Sequence, residues 1–145
     1  MKRFHFPLER VRRWRSEQAS LEELKLEQLR AELSRLGGAK RQVEADAARA
    51  AEQVLAQASM DALELISLDS YRLHMRQRVR EIEQLELQCE AGIVEQRKRV
   101  IEARRQTELL DRLYNKAWDQ WSAAGNKEYE DLAAEMFLAR SVRNR

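Results

Sequence analysis

One cysteine, one proline, four glycines and two histidines are all that 145 residues contain of these types, and each scarcity removes a class of protein. The single Cys89 cannot close an internal disulfide, which excludes a disulfide-held scaffold and fits a reducing cytoplasm. His5 and His74 stand far apart, no Cys/His pair has metal-ligand spacing, and no glycine-rich loop follows a strand pattern. Carboxylate pairs such as Glu22/Glu23 and Glu128/Glu130 fall on stretches that read as exposed helix, where nothing desolvates them for acid–base work. The expectation is therefore a protein without catalytic residues, metal or cofactor. No apolar run exceeds the four residues Met136 to Ala139, too few to span a bilayer as a helix. The opening Phe4-His5-Phe6-Pro7-Leu8 lacks the apolar core of a signal peptide, so a cytoplasmic, unprocessed chain is expected. A net charge of +2 gives no bulk warrant for nucleic-acid binding.

What is present is 43% apolar and 36% charged, arranged with helical spacing. From Met75 to Ala124 residues recur at alternating steps of four and three: Met75, Val79, Ile82, Glu86, Cys89, Ile93, Gln96, Val100, Ala103, Thr107, Leu110, Tyr114, Ala117, Trp121 and Ala124. Twelve of these fifteen are apolar, and a mean step of 3.5 holds one stripe against a partner helix over many turns. A similar stripe runs through Leu26, Leu29, Leu33, Leu36, Lys40, Val43, Ala47, Ala50 and Val54. Before Leu26 the spacing is untidy, since Leu21, Leu24 and Leu26 share no seam.

Gly37-Gly38 interrupts the first stripe without shifting its register, because Leu36, Lys40 and Val43 keep the four–three alternation. Burying Leu36 and Val43 is worth roughly 1.5–3 kcal/mol each, against about 1 kcal/mol per helical glycine, so a continuous helix is expected. The turn is expected at about residues 59–67, where Ser59, Asp61, Ser67, Asp69 and Ser70 cluster, with Leu63, Leu65, Ile66 and Leu68 tucked inward. Helices over about 7–58, opened by Pro7, and about 68–139 then form one domain over residues 1–145. The fold class is all-α: a long antiparallel two-helix coiled-coil hairpin with unequal arms. Centring the turn near residue 63 pairs positions that sum to about 126, so that Trp118 faces Leu8 and Trp121 lies near His5. Residues beyond about 123 then have no partner in the hairpin. Gly125-Asn126 is a candidate bend, and Tyr129, Leu132, Met136 and Phe137 either contact another protein or fold back on the N-terminal segment.

Charge is blocked along the chain. Residues 1–15 carry six Lys/Arg and one Glu; residues 72–80 carry four Arg and no acid; residues 81–96 carry five Glu and no base. Residues 97–105 carry five bases and Glu102, and the last eight residues add Arg140, Arg143 and Arg145. Most blocks read as solvated faces, but the two basic termini would make the open end electropositive and suited to an acidic or ring-shaped protein partner.

The opening Phe4-His5-Phe6-Pro7-Leu8-Glu9-Arg10-Val11, followed by Arg15, resembles the start of the flagellar export protein FliJ family. Leu109-Leu110-Asp111-Arg112-Leu113-Tyr114 and Glu130-Asp131-Leu132-Ala133 are similar to its later segments, and length, turn position and arm asymmetry agree over the whole chain. Arg12 stands where the family often has Leu, and Glu130-Asp131 reverses its usual order. The resemblance implies a cytoplasmic part of the flagellar type III export apparatus, like the central stalk of rotary ATPases. Such a stalk inserts its open end into the hexameric export ATPase FliI, promotes ring assembly, and engages the export gate protein FlhA and substrate chaperones. On that footing Arg12, Arg13, Arg15, Arg140 and Arg143 are candidates for ATPase contact, and Arg41, Ala45, Arg49, His74 and Arg78 for gate contact.

The nearest rival is the equivalent stalk of a virulence type III secretion system. A general coiled-coil scaffold predicts a homodimer where the hairpin predicts a monomer in isolation, nucleic-acid binding rests on the basic ends alone, and an amphipathic membrane helix fits a narrow stripe poorly.

Overall fold

The computed structural model describes residues 2–143 and contains two helices, α1 (Glu9–Leu55, 47 residues) and α2 (Ala62–Arg143, 82 residues). They pack against each other antiparallel as a helical hairpin of unequal arms, the class its heptad spacing predicts. Contacts group into two compact units, Leu21–Val100 and the remainder (residues up to Ser20 with those from Ile101 onward).

In the Leu21–Val100 unit the core is the predicted seam. Leu26, Leu36, Ile82, Cys89, Ile93 and Val100 are buried together, with Leu29, Leu33, Ala39 and Val43 packed against them. Two helices offer each other only one stripe, so every large outward residue stays wet, including Leu24, Leu85 and Leu87. Helix α1 continues unbroken through Gly37-Gly38. Neither glycine has a positive φ, and a Cβ on either would meet nothing nearer than the Arg41 guanidinium at 3.8 and 3.9 Å.

The turn lies earlier than the Ser/Asp cluster suggests. Residues 56–61 make it, and α2 is already under way at Ala62, so Ser67, Asp69 and Ser70 are helical. The start signal is local: the Asp61 amide donates to Glu64 Oε2 at 3.3 Å, the Glu half of a capping box, and the Asp61 carbonyl accepts the first helical bond from Leu65. At helical spacing from this start only Leu68 of the four expected apolar residues reaches the seam; Leu63, Leu65 and Ile66 are exposed. The earlier turn also moves the register. Cross-helix partners Leu29/Cys89, Glu22/Gln96, Arg15/Thr107 and Arg12/Asp111 sum to 118–123, below the expected 126.

In the other unit, a turn at Pro7-Leu8 leads into α1, with Glu9 N–H donating to the Phe6 carbonyl at 3.2 Å. Ala19 is buried in α1, and the seam positions before it carry Arg12 and Arg15, which explains the untidy apolar spacing there. Helix α2 stays helical through Gly125-Asn126 and reaches Arg143, four residues beyond the expected end. An 18-residue window of sufficient hydropathy is absent, so no helix among the described residues is long and apolar enough to cross a membrane.

Because both glycines sit at ordinary helical φ with room for a methyl group, Gly37→Ala and Gly38→Ala should each raise unfolding free energy by about 0.5–1 kcal/mol. Urea unfolding followed by circular dichroism reads this directly; a loss of stability would mean that the backbone there departs from a helix.

Candidate interaction surfaces

The most distinctive surface is built where the N-terminal segment meets α2. Phe4 packs edge-on against Tyr114 and Trp118, at centroid distances of 5.5 and 5.0 Å, and tilted against Trp121 at 5.6 Å. Phe6 is buried edge-on to Tyr114 at 5.4 Å, and Trp118 and Trp121 lie 5.1 Å apart. Such offset and edge contacts each add about 0.5–1.5 kcal/mol beyond burial. The indole N–H of Trp121 donates to the Lys2 carbonyl at 2.9 Å. The aromatic groups meet, and Trp121 lies against Phe4 and Lys2, in the expected neighbourhood of His5, but Trp118 packs on Phe4 where Leu8 was expected. The earlier turn and the non-helical course of residues 2–6 account for this shift.

Polar groups occupy the neighbouring seam. Arg12 donates from Nε to Asp111 Oδ1 at 2.8 Å, bonds Glu9 at 3.3 Å and covers the Tyr114 ring at 4.2 Å. The bond to Asp111 outweighs the desolvation that opposes it and raises the Arg12 pKa further above its ordinary value. Arg15 bonds Gln106 and lies 4.7 Å over Trp14, while Thr107 Oγ1 stands 3.3 Å from the Arg15 carbonyl.

In the Leu21–Val100 unit, Gln96 is 6% exposed and donates to the Glu22 carbonyl at 3.0 Å and to the Glu22 carboxylate. That bond, helped by Lys25, holds the Glu22 pKa below its ordinary 4.5. Glu22 therefore adds stability above pH 4.5, and the gain fades as the pH falls through its depressed value. No buried side-chain N or O atom among the described residues lacks a partner.

These contacts divide the five arginines assigned to ATPase contact. Arg12 and Arg15 are engaged in the seam; Arg13 is exposed beside Glu9 at 3.4 Å; Arg140 and Arg143 are exposed and make no ion pair among the described residues. Arg140 lies 19 residues past Trp121, about 28 Å along α2 at 1.5 Å per residue, so the two basic groups do not merge. Arg145 falls outside the described residues. Between the groups, every residue from Asn126 to Arg143 is exposed, including Tyr129, Leu132, Met136 and Phe137. They do not fold back on the N-terminal segment.

A second surface lies in the Leu21–Val100 unit. An open groove of about 540 Å³ is floored by Val43, Ala47, Ala51, Met75 and Val79 and edged by Arg72, Arg76 and Arg80, with Glu44 and Glu83 also on its lining. The three arginines recur at steps of four, so they share a helix face, and none makes an ion pair among the described residues. Their block was legible as charge, but the groove was not, because it depends on alanines of α1 lying opposite. None of Arg41, Ala45, Arg49, His74 and Arg78 lines it; all five are exposed, Arg49 pairing with Asp46 and Arg78 with Glu81. No cluster of three metal-ligating residues occurs among the described residues.

Comparison with protein-family models, with curated proteins and with solved structures finds no match.

Arg12 and Arg13 give a direct contrast. Arg12→Ala should cost roughly 1 kcal/mol, combining a half-exposed ion pair with its cation–π contact. Arg13→Ala should change stability by less than about 0.5 kcal/mol. Equal losses in thermal unfolding would contradict the placement of Arg12 in the seam.

Proposed function

We propose that this chain is a non-enzymatic stalk of the FliJ type in a flagellar type III export apparatus. In this reading it is a cytoplasmic monomer in isolation that binds the export ATPase ring FliI, promotes its assembly and links it to the gate protein FlhA and to export chaperones. The observation that carries the reading is the uncovered end of α2. Eighteen consecutive exposed residues, rich in large apolar side chains and closed by Arg140 and Arg143, extend beyond Trp121, which bonds the N-terminal segment at Lys2. An isolated helix of that character is costly to leave in water and is suited to insertion into another protein. The aromatic and basic N-terminal residues beside it support the same use.

Within this reading the outward Arg13, Arg140 and Arg143 make ring contact, whereas Arg12 and Arg15 hold the hairpin that presents them. The gate link falls to the arginine-edged groove more naturally than to Arg41, Ala45, Arg49, His74 and Arg78, since the groove has both an apolar floor and unpaired charge. A virulence-system stalk of the same build would use the same surfaces, and genomic neighbours separate the two.

The test is ATP hydrolysis by the candidate export ATPase with and without this protein. Wild-type chain should stimulate turnover, and the triple variant Arg13→Glu, Arg140→Glu, Arg143→Glu should lose most of that stimulation while keeping its melting midpoint. Undiminished stimulation by the variant would refute the contact assignment; absence of stimulation by wild type, together with a stable homodimer in light scattering, would favour a general scaffold.

A further inference from the structure

Residues 2–7 lie outside both helices and run along α2 toward its C-terminus, Phe6 meeting Tyr114, Phe4 meeting Trp118, and Lys2 meeting Trp121. The grip of this strap is uneven. Phe6 is buried and its carbonyl takes the Glu9 amide, so it belongs with the start of α1. Beyond it Phe4 is the one apolar anchor among the described residues, half-buried among three rings. The side chains of Lys2, Arg3 and His5 are exposed and make no ion pair or hydrogen bond among the described residues. The Lys2 carbonyl bond to Trp121 is itself exposed to water.

The rings under the strap are not the end of their stripe. Tyr114, Trp118, Trp121, Gly125, Tyr129, Leu132 and Met136 follow one another at steps of three or four and keep to one face of α2. Tyr129, Leu132 and Met136 are 65, 54 and 64% exposed and Trp118 is 44% exposed, so the strap partly covers the near part of a face whose far part is open. Glu128 and Glu135 flank that open part, and Arg140 and Arg143 close it.

We propose that residues 2–5 are a separable cover, pivoting at Phe6-Pro7. Its opening joins Trp118 and Trp121 to Tyr129, Leu132 and Met136 as one continuous docking face. The occupant is an amphipathic helix of a protein partner, with basic side chains beside Glu128 and Glu135 and acidic ones beside Arg140 and Arg143. Continuity with the seam favours a helix, because a helix is what α2 already accepts on this stripe. A partner helix seated along the full face competes with Phe4 for the same rings, so the strap sets the threshold for docking. This rests on the reading of this end as the docking end and names what regulates it.

The experiment uses the full chain with Trp14→Phe, leaving Trp118 and Trp121 as the reporters. Phe4→Ala should raise acrylamide quenching of their emission at least about twofold and remove the hydrogen-exchange protection of the Trp121 indole N–H. The melting midpoint should fall by less than about 4 °C, a small loss for a chain of this size, and Phe4→Tyr should behave as the parent. Unchanged quenching, or a rise accompanied by a larger fall in melting midpoint, would overturn the separable cover. With the candidate export ATPase as probe, Phe4→Ala should bind at least about threefold tighter; equal or weaker binding would overturn the competition. If the ATPase binds neither form, the proposed function fails, while the quenching result still decides whether the cover opens.

Discussion

A pair of helices has only one seam to share, and that restriction governs the rest of this structure. Each arm can bury a single stripe, so the core is a file of side chains such as Leu26, Leu36, Ile82, Ile93 and Val100 rather than a globular interior. A stripe of aliphatic residues alone would tolerate sliding by one heptad at little cost. Here polar groups interrupt it at fixed places: Gln96 reaches Glu22 in one unit, and Arg12 and Thr107 reach Asp111 and the Arg15 carbonyl in the other. A slip of register would leave Gln96 buried without its partner, which is more expensive than the bond is stabilising when made. The polar layers thus supply the alignment that the apolar layers cannot.

The same restriction explains which parts of the fold were readable in the sequence. Where the seam is mostly aliphatic, as from Leu26 to Val54 and from Met75 to Val100 with only Lys40, Glu86 and Gln96 polar, the alternation of four and three exposes it plainly, and it carries α1 through Gly37-Gly38. Where polar residues fill seam positions, as at Arg12, Arg15 and Glu22, a search for apolar period sees only disorder around Leu21 and Leu24. The turn was misplaced for a different reason. Ser67, Asp69 and Ser70 have side chains that suit turns, but the Asp61–Glu64 cap is a stronger local signal and starts α2 before them. The register error and the mismatch of Trp118 with Leu8 follow from that one displacement.

The candidate surfaces were legible unevenly. Uncovered apolar residues beyond Trp121 follow from arithmetic on arm lengths, and they are exposed in the structure. The strap was legible in part: Pro7 leaves Phe4-His5-Phe6 ahead of the helix, but the course of these residues along α2 as far as Trp121 depends on cross-chain contacts that no local pattern encodes. Treating all arginines near the termini as one patch overlooked that Arg12 has Asp111 and Tyr114 to satisfy it, whereas Arg13 has only a neighbour on its own helix. The groove edged by Arg72, Arg76 and Arg80 combines a charge block on α2 with small residues on α1, a coincidence visible only once the helices are paired.

Every surface discussed depends on α1 and α2 of one chain being each other's partner. That is tested most directly by electron–electron distance measurement between spin labels at the exposed positions Arg30 and Glu90, beside the Leu29/Cys89 contact, in a Cys89→Ala chain diluted with excess unlabelled protein. The account predicts a single narrow, short distance, set by helix axes about 8–10 Å apart and unaffected by the dilution. A broad, long distribution, or a short distance that vanishes on dilution, would show that the arms pair between chains and would contradict it.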